Sequence, residues 1–143
     1  MNYQADLAAI DPSGKVILAV EVKSKQGTDK AWAASMYETF YKQAIADRTA
    51  YFLLAMPDML YFWPHRKRAR TSKPRYILKT RNLFDAKRLA MLEKADHQVL
   101  QMIFFDWLDR LRYISENEAP EAFVKSGLFD LLQNAHLRYE VSL

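Results

Sequence analysis

The chain is predicted to be an α/β domain: a mixed central sheet, built from a β-hairpin, a crossover helix and further strands, flanked by helices and followed by a C-terminal helical region. Three observations carry this. Two apolar segments flank the turn-forming run Asp11-Pro12-Ser13-Gly14. A stretch of helical period from Lys30 is followed by the apolar run Ala50 to Met56. Beyond Asp85, apolar residues recur three and four apart. These periods of two and 3.6 residues distinguish strand from helix.

The elements follow in order. Tyr3 to Ile10 and Lys15 to Lys25 form the hairpin. If the turn spans four residues, Ile10 faces Lys15 and Asp6 faces Ala19, so Glu21 lies diagonally next to Asp6 on one side of the ribbon; a bulge near the turn alters this register. Gln26-Gly27-Thr28-Asp29 leads into the first helix, with Thr28 or Asp29 as N-cap. From Lys30 to Asp47, Trp32, Ala33, Met36, Tyr37, Phe40, Tyr41, Ala44 and Ile45 repeat at helical spacing. A crossover of this kind joins parallel strands, so the strand from Ala50 should run parallel to the second hairpin strand. Pro57-Asp58 turns the chain into Met59-Leu60-Tyr61-Phe62-Trp63.

The next segment, from Pro64 to Arg75, is basic and holds no acid. Such a run does not pack, and reads either as a solvated loop or as a phosphate-binding one. The long amphipathic pattern of Leu89, Leu92, Ala95, Val99, Leu100, Ile103, Phe104, Trp107, Leu108, Leu111 and Ile114 is one helix or two with a break. Its apolar centre, Met102-Ile103-Phe104-Phe105, is expected in the core, with a homodimer through the C-terminal helices as the second expectation. Pro120 opens a helix over Glu121 to Gln133, and His136 to Val141 alternates as a closing strand. A single domain over 1–143 is expected, with its core at about 3–80 and its helices and closing strand at about 83–142.

Composition bounds the chemistry. The 143 residues carry a net charge of +4 and no cysteine, which removes thiol catalysis, disulfides and Cys-type zinc sites. His65, His97 and His136 lack zinc-site spacing and are expected to be non-ligands. No Gly-rich phosphate loop is present, which argues against nucleoside triphosphate hydrolysis. With no signal-like N-terminus and no apolar stretch of membrane-spanning length, the expectation is a cytoplasmic protein without a membrane.

One constellation carries reaction chemistry. Asp6 on the first hairpin strand and Glu21-Val22-Lys23 at the end of the second can hold a divalent metal: two carboxylate oxygens and the Val22 carbonyl suit Mg²⁺. Lys23 shares the Glu21 face and lies where it can orient or deprotonate a water. Without a metal, the same charges form a solvated salt bridge on an edge hairpin.

The stretch Ala5-Asp6-Leu7, Gly14-Lys15, Val20-Glu21-Val22-Lys23, with the helix and strands that follow to about residue 64, resembles the core of the PD-(D/E)XK nuclease superfamily, the restriction-endonuclease-like fold. It is most similar to small stand-alone bacterial members. The resemblance implies a metal-dependent nuclease that hydrolyses DNA, with Asp6, Glu21 and the Val22 carbonyl as ligands of Mg²⁺ (or Mn²⁺), and with Lys23 activating water. Arg66, Lys67, Arg68, Arg70, Lys73 and Arg75 would then hold the DNA backbone. Some members add a Gln or Glu with a Tyr on the crossover helix, for which Gln43 and Tyr37 are loose matches. Members usually begin with a helix that packs on the sheet and often contributes a Glu. Here the first strand starts almost at Met1, so either the C-terminal helices fill that place, or the domain is minimal, or catalysis is lost. The alternative is therefore an inactive nuclease-like domain that binds nucleic acid or a partner protein. Asp6 and Glu21 on opposite faces would support a plain surface salt bridge in an unrelated α/β domain and end the other two readings.

Overall fold

The computed structural model describes residues 4–44, 50–64 and 72–143, with the side chains of 40–44 outside that description. Six strands form one sheet in the order β5-β4-β3-β2-β1-β6. They are β1 (Gln4–Ile10), β2 (Val16–Val22), β3 (Tyr51–Ala55), β4 (Met59–Trp63), β5 (Tyr76–Lys79) and β6 (His136–Ser142). Only β2 and β3 pair in parallel; every other neighbouring pair is antiparallel.

The parallel pair exists because α1 (Lys30–Ala44) carries the chain back along the sheet between them. Asp29 caps this helix, its carboxylate accepting from Trp32 N at 2.9 Å. On the α1 side Ala33 and Tyr37 pack on Ala19, Phe52, Leu54, Tyr61 and Trp63, and Tyr37 stacks on Trp63 with centroids 4.9 Å apart.

The other face is covered by α2 (Ala86–Lys94), α3 (His97–Arg110), α4 (Glu121–Lys125) and α5 (Leu128–Gln133). Of the two expectations for the amphipathic stretch, one helix or two with a break, the structure has two, and the break has a local cause: Ala95 and Asp96 are extended, and the Asp96 carboxylate starts α3 by accepting from Val99 N at 2.9 Å. Leu100, Phe104 and Leu108 follow at four-residue steps and are buried against the sheet. The helix expected over Glu121 to Gln133 is also interrupted, by Gly127 at φ 85°, a left-handed conformation that a β-carbon resists.

The closing strand forms as expected, β6 pairing along β1 from Gln4↔Ser142 to Ile10↔His136. The hairpin register differs from the four-residue expectation. Ile10 pairs with Val16 rather than Lys15, and Ala19 pairs with Ala8 rather than Asp6. A bulge between Ala9 and Ile10 shifts the ladder, and the Asp11 carboxylate holds the turn by accepting from Ser13 N and Lys15 N. Among the described residues, no helix is long and apolar enough to cross a membrane.

Candidate functional site

The C-terminal ends of β2 and β3 and the N-terminal end of β1 share one end of the sheet, since Val22 pairs with Ala55 and Leu7 with Val20. Asp6 sits where regular pairing on both flanks gives way: the ladder to β6 skips the Asp6 level, and Glu140, the residue skipped there, has φ 51°. The side chain substitutes for a strand carbonyl, its Oδ2 accepting from Val22 N at 2.8 Å. That bond sets the Asp6 carboxylate against the Glu21–Val22 peptide.

Two side chains of α3 complete the cluster. Gln101 Nε2 donates to Asp6 Oδ1 at 2.9 Å. His97 Nε2 lies 3.0 Å from the Val22 carbonyl oxygen and 3.5 Å from Asp6 Oδ2. His97 and Gln101 are four residues apart and share a helix face. His97, expected from its spacing to be a non-ligand, is thus the one of the three histidines seen beside Asp6 among the described residues. Sequence spacing missed both residues because they lie far along the chain from Asp6; the signal available was a His and a Gln at i and i+4 directly after a capping Asp96.

Glu21 is placed differently. It pairs with Leu54, and Leu54 with Tyr61, so its side chain belongs to the α1 side of the sheet, where Leu54 and Tyr61 are buried. The expected diagonal stacking of Asp6 and Glu21 on one side of the ribbon is therefore corrected: Asp6 reaches toward α3 and Glu21 toward α1, the opposite faces that the unrelated-domain reading expects. The faces do not part Asp6 from the Glu21 strand, because Asp6 leaves the regular ladder and bonds Val22 N, the amide next to Glu21. Glu21 is not the solvated half of a surface ion pair, being only 7% exposed. Lys23 Nζ stands 3.8 Å from Glu21 Oε1, and Lys23 N extends the strand by donating to Ala55 O at 3.0 Å.

The loop after Lys23 is held from β4 and its preceding turn. Asp58 Oδ2 accepts from Gly27 N at 3.0 Å, and Thr28 and Tyr61 share a hydroxyl hydrogen bond of 2.9 Å. Asp58, read from sequence as part of a turn, anchors this loop. Tyr37 is committed to the α1-side core, and the side chain of Gln43 lies outside the described residues.

Arg66, Lys67, Arg68 and Arg70 also lie outside the described residues. Where their segment attaches is defined. It leaves after Trp63, which pairs with Phe52, and returns at Ser72, whose carbonyl accepts from Trp63 Nε1 at 2.9 Å. Phe52 pairs with Ala19, so both anchors lie about 10 Å down the sheet from Val22 at a rise near 3.3 Å per residue. Adjacency to the carboxylates therefore lends Lys73 and Arg75, both exposed at that far end, no support as phosphate contacts. Exposed Lys25 and Lys79 lie at the carboxylate end instead, Lys79 pairing with Met59 at the start of β4.

Among the described residues, no group of three His, Asp, Glu or Cys side chains converges to hold a metal. Asp6 Oδ2 and the Val22 carbonyl nevertheless approach one common donor atom, His97 Nε2. Two oxygens within 3.5 Å of one nitrogen fit the donor chemistry of a divalent cation. Comparisons with protein-family models, with curated proteins and with solved structures find no match.

Proposed function

We propose that the protein is a metal-dependent phosphodiesterase acting on DNA, on a restriction-endonuclease-like topology. The observation that carries this reading is the Asp6 carboxylate seated on the Glu21–Val22 peptide at the carboxyl end of the parallel pair, with Lys23 one step beyond. Glu21 is on the opposite face, which counts for an unrelated domain, and its burial counts against the solvated salt bridge of that reading. A buried carboxylate at a strand end is unfavourable for folding unless it is well paired, and such sites concentrate where function needs them. The order of hairpin, crossover helix, parallel strand and antiparallel strand supports the topology, and the Gln101 contact to Asp6 supports the alternative in which the C-terminal helices stand in for a leading helix.

In this mechanism Asp6 and the Val22 carbonyl would hold a divalent cation, with Glu21 as the carboxylate on the other side of the strand. A bound divalent ion supplies Lewis-acid activation of water and neutralises phosphate charge. Lys23 donates to the attacking water or to a phosphate oxygen, and its 3.8 Å approach to Glu21 keeps the ammonium at the strand end. Lys25 and Lys79 provide exposed cations for the DNA backbone at the same end.

A second reading has its own support. The Asp6 carboxylate already accepts from Val22 N and Gln101, with His97 close by, which suits an inactive domain that binds nucleic acid or a partner. Incubating the protein with supercoiled plasmid and with single-stranded DNA, in Mg²⁺, Mn²⁺ or EDTA and beside Glu21→Ala, separates the two. The nuclease gives metal-dependent cutting that Glu21→Ala loses. Salt-sensitive DNA retention without cutting by either protein favours the binding domain.

A further inference from the structure

We infer that His97 is a ligand of the cation held by Asp6 and Val22, and that this shifts the site's preference from Mg²⁺ toward first-row transition ions such as Co²⁺ and Zn²⁺. The inference rests on the reading that Asp6 and the Val22 carbonyl hold a cation, and adds to it which ion and which third ligand.

Ligands about 2.1 Å from an ion and 90–110° apart stand about 3.0–3.4 Å from each other. His97 Nε2 is 3.0 Å from the Val22 oxygen and 3.5 Å from Asp6 Oδ2, close to that spacing on both sides. A small movement that brings an ion among the three atoms satisfies all of them, with the imidazole proton carried on Nδ1. The set comprises two side chains and a backbone oxygen, which is why no cluster of three ionisable side chains is found there.

The surroundings suit the role. The His97 side chain is 51% exposed, so an ion and its waters can reach Nε2. Asp96 fixes the first turn of α3 and hence the position from which His97 extends. Gln101 holds the other carboxylate oxygen of Asp6, orienting the group, as the hydrogen-bonding partners of ligands do in metal sites. An imidazole nitrogen suits Co²⁺ and Zn²⁺, whereas Mg²⁺ favours an all-oxygen shell.

The test is Co²⁺ and Mg²⁺ binding to the full chain, followed by calorimetry and by the visible absorption of Co²⁺, in the wild type, His97→Ala, Gln101→Ala and Asp6→Asn, with circular dichroism to confirm folding. The expected result is Co²⁺ binding that is lost in Asp6→Asn and weakened about tenfold or more in His97→Ala, while Mg²⁺ affinity stays within about twofold. Gln101→Ala, which removes the neighbouring tether but no ligand, should weaken Co²⁺ binding less than His97→Ala does. Unchanged or tighter Co²⁺ binding in His97→Ala, with the Asp6 dependence intact, overturns His97 as a ligand and leaves the cation site standing. Absence of Co²⁺ binding in the wild type, or binding indifferent to Asp6→Asn, overturns the site and the inference together.

Discussion

At Glu21 a carboxylate is held at 7% exposure on a face it shares with Leu54 and Tyr61. Desolvating a charge opposes folding, and replacing a buried ion by a neutral group of the same shape is often neutral or stabilising. Glu21→Gln keeps the shape and removes the charge. It should leave the melting temperature unchanged or raised while abolishing metal-dependent cleavage, as expected where function is kept at the expense of stability. A clear drop in the melting temperature would instead make Glu21 a structural group. The pattern Glu-x-Lys with an upstream Asp was legible because strand alternation fixes which side chains share a face. The burial of Glu21 was not, since it depends on α1 and on strands that join later in the chain.

Among the elements, the start of α3 and the closing strand show where local rules suffice. The break before α3 is written in Asp96, and the closing strand in its alternation. Between α4 and α5, Gly127 has φ 85°, and a β-carbon there would meet the Tyr51 hydroxyl at 3.5 Å, an ordinary contact. The penalty for Gly127→Ala is therefore backbone strain alone, and unfolding in denaturant should show a loss of roughly 1–2 kcal/mol. A negligible change would mean that the two helices merge without cost. The hairpin was less legible. Its register depended on a bulge, and one extra residue moves every cross-strand pairing beyond it.

Over the whole molecule, the sheet is sandwiched between α1 and the C-terminal helices, and Tyr51 ties β3 to the far end of that second layer by donating to Ser126 O at 2.6 Å. Burial raises the pKa of Tyr51 above its ordinary value of 10.0, and burial with nearby Asp106 does the same for Tyr139. A phenol whose folded pKa is raised adds stability that is fully present below the unfolded value. That stability is lost as pH rises from about 10 through the folded value, because the unfolded chain releases its protons first. Melting temperatures measured across this alkaline range should fall, and Tyr51→Phe should fall less steeply. An identical slope in Tyr51→Phe would remove Tyr51 from the alkaline transition.

By itself, the sequence determined the α/β class, the parallel crossover, the start of the first helix at Thr28 or Asp29 and the strand end that bears Glu21 and Lys23, because periodicity and capping act over a few residues. Only the tertiary structure decided the surroundings of Asp6. Gln101 reaches it across 95 residues of chain, which no local period encodes. The attachment of the basic segment at the far end of the sheet was likewise decided by how β4 pairs. Contacts of this kind are selected by the closure of long loops and the packing of whole layers, where a side chain's partner is set by the fold rather than by its neighbours in sequence.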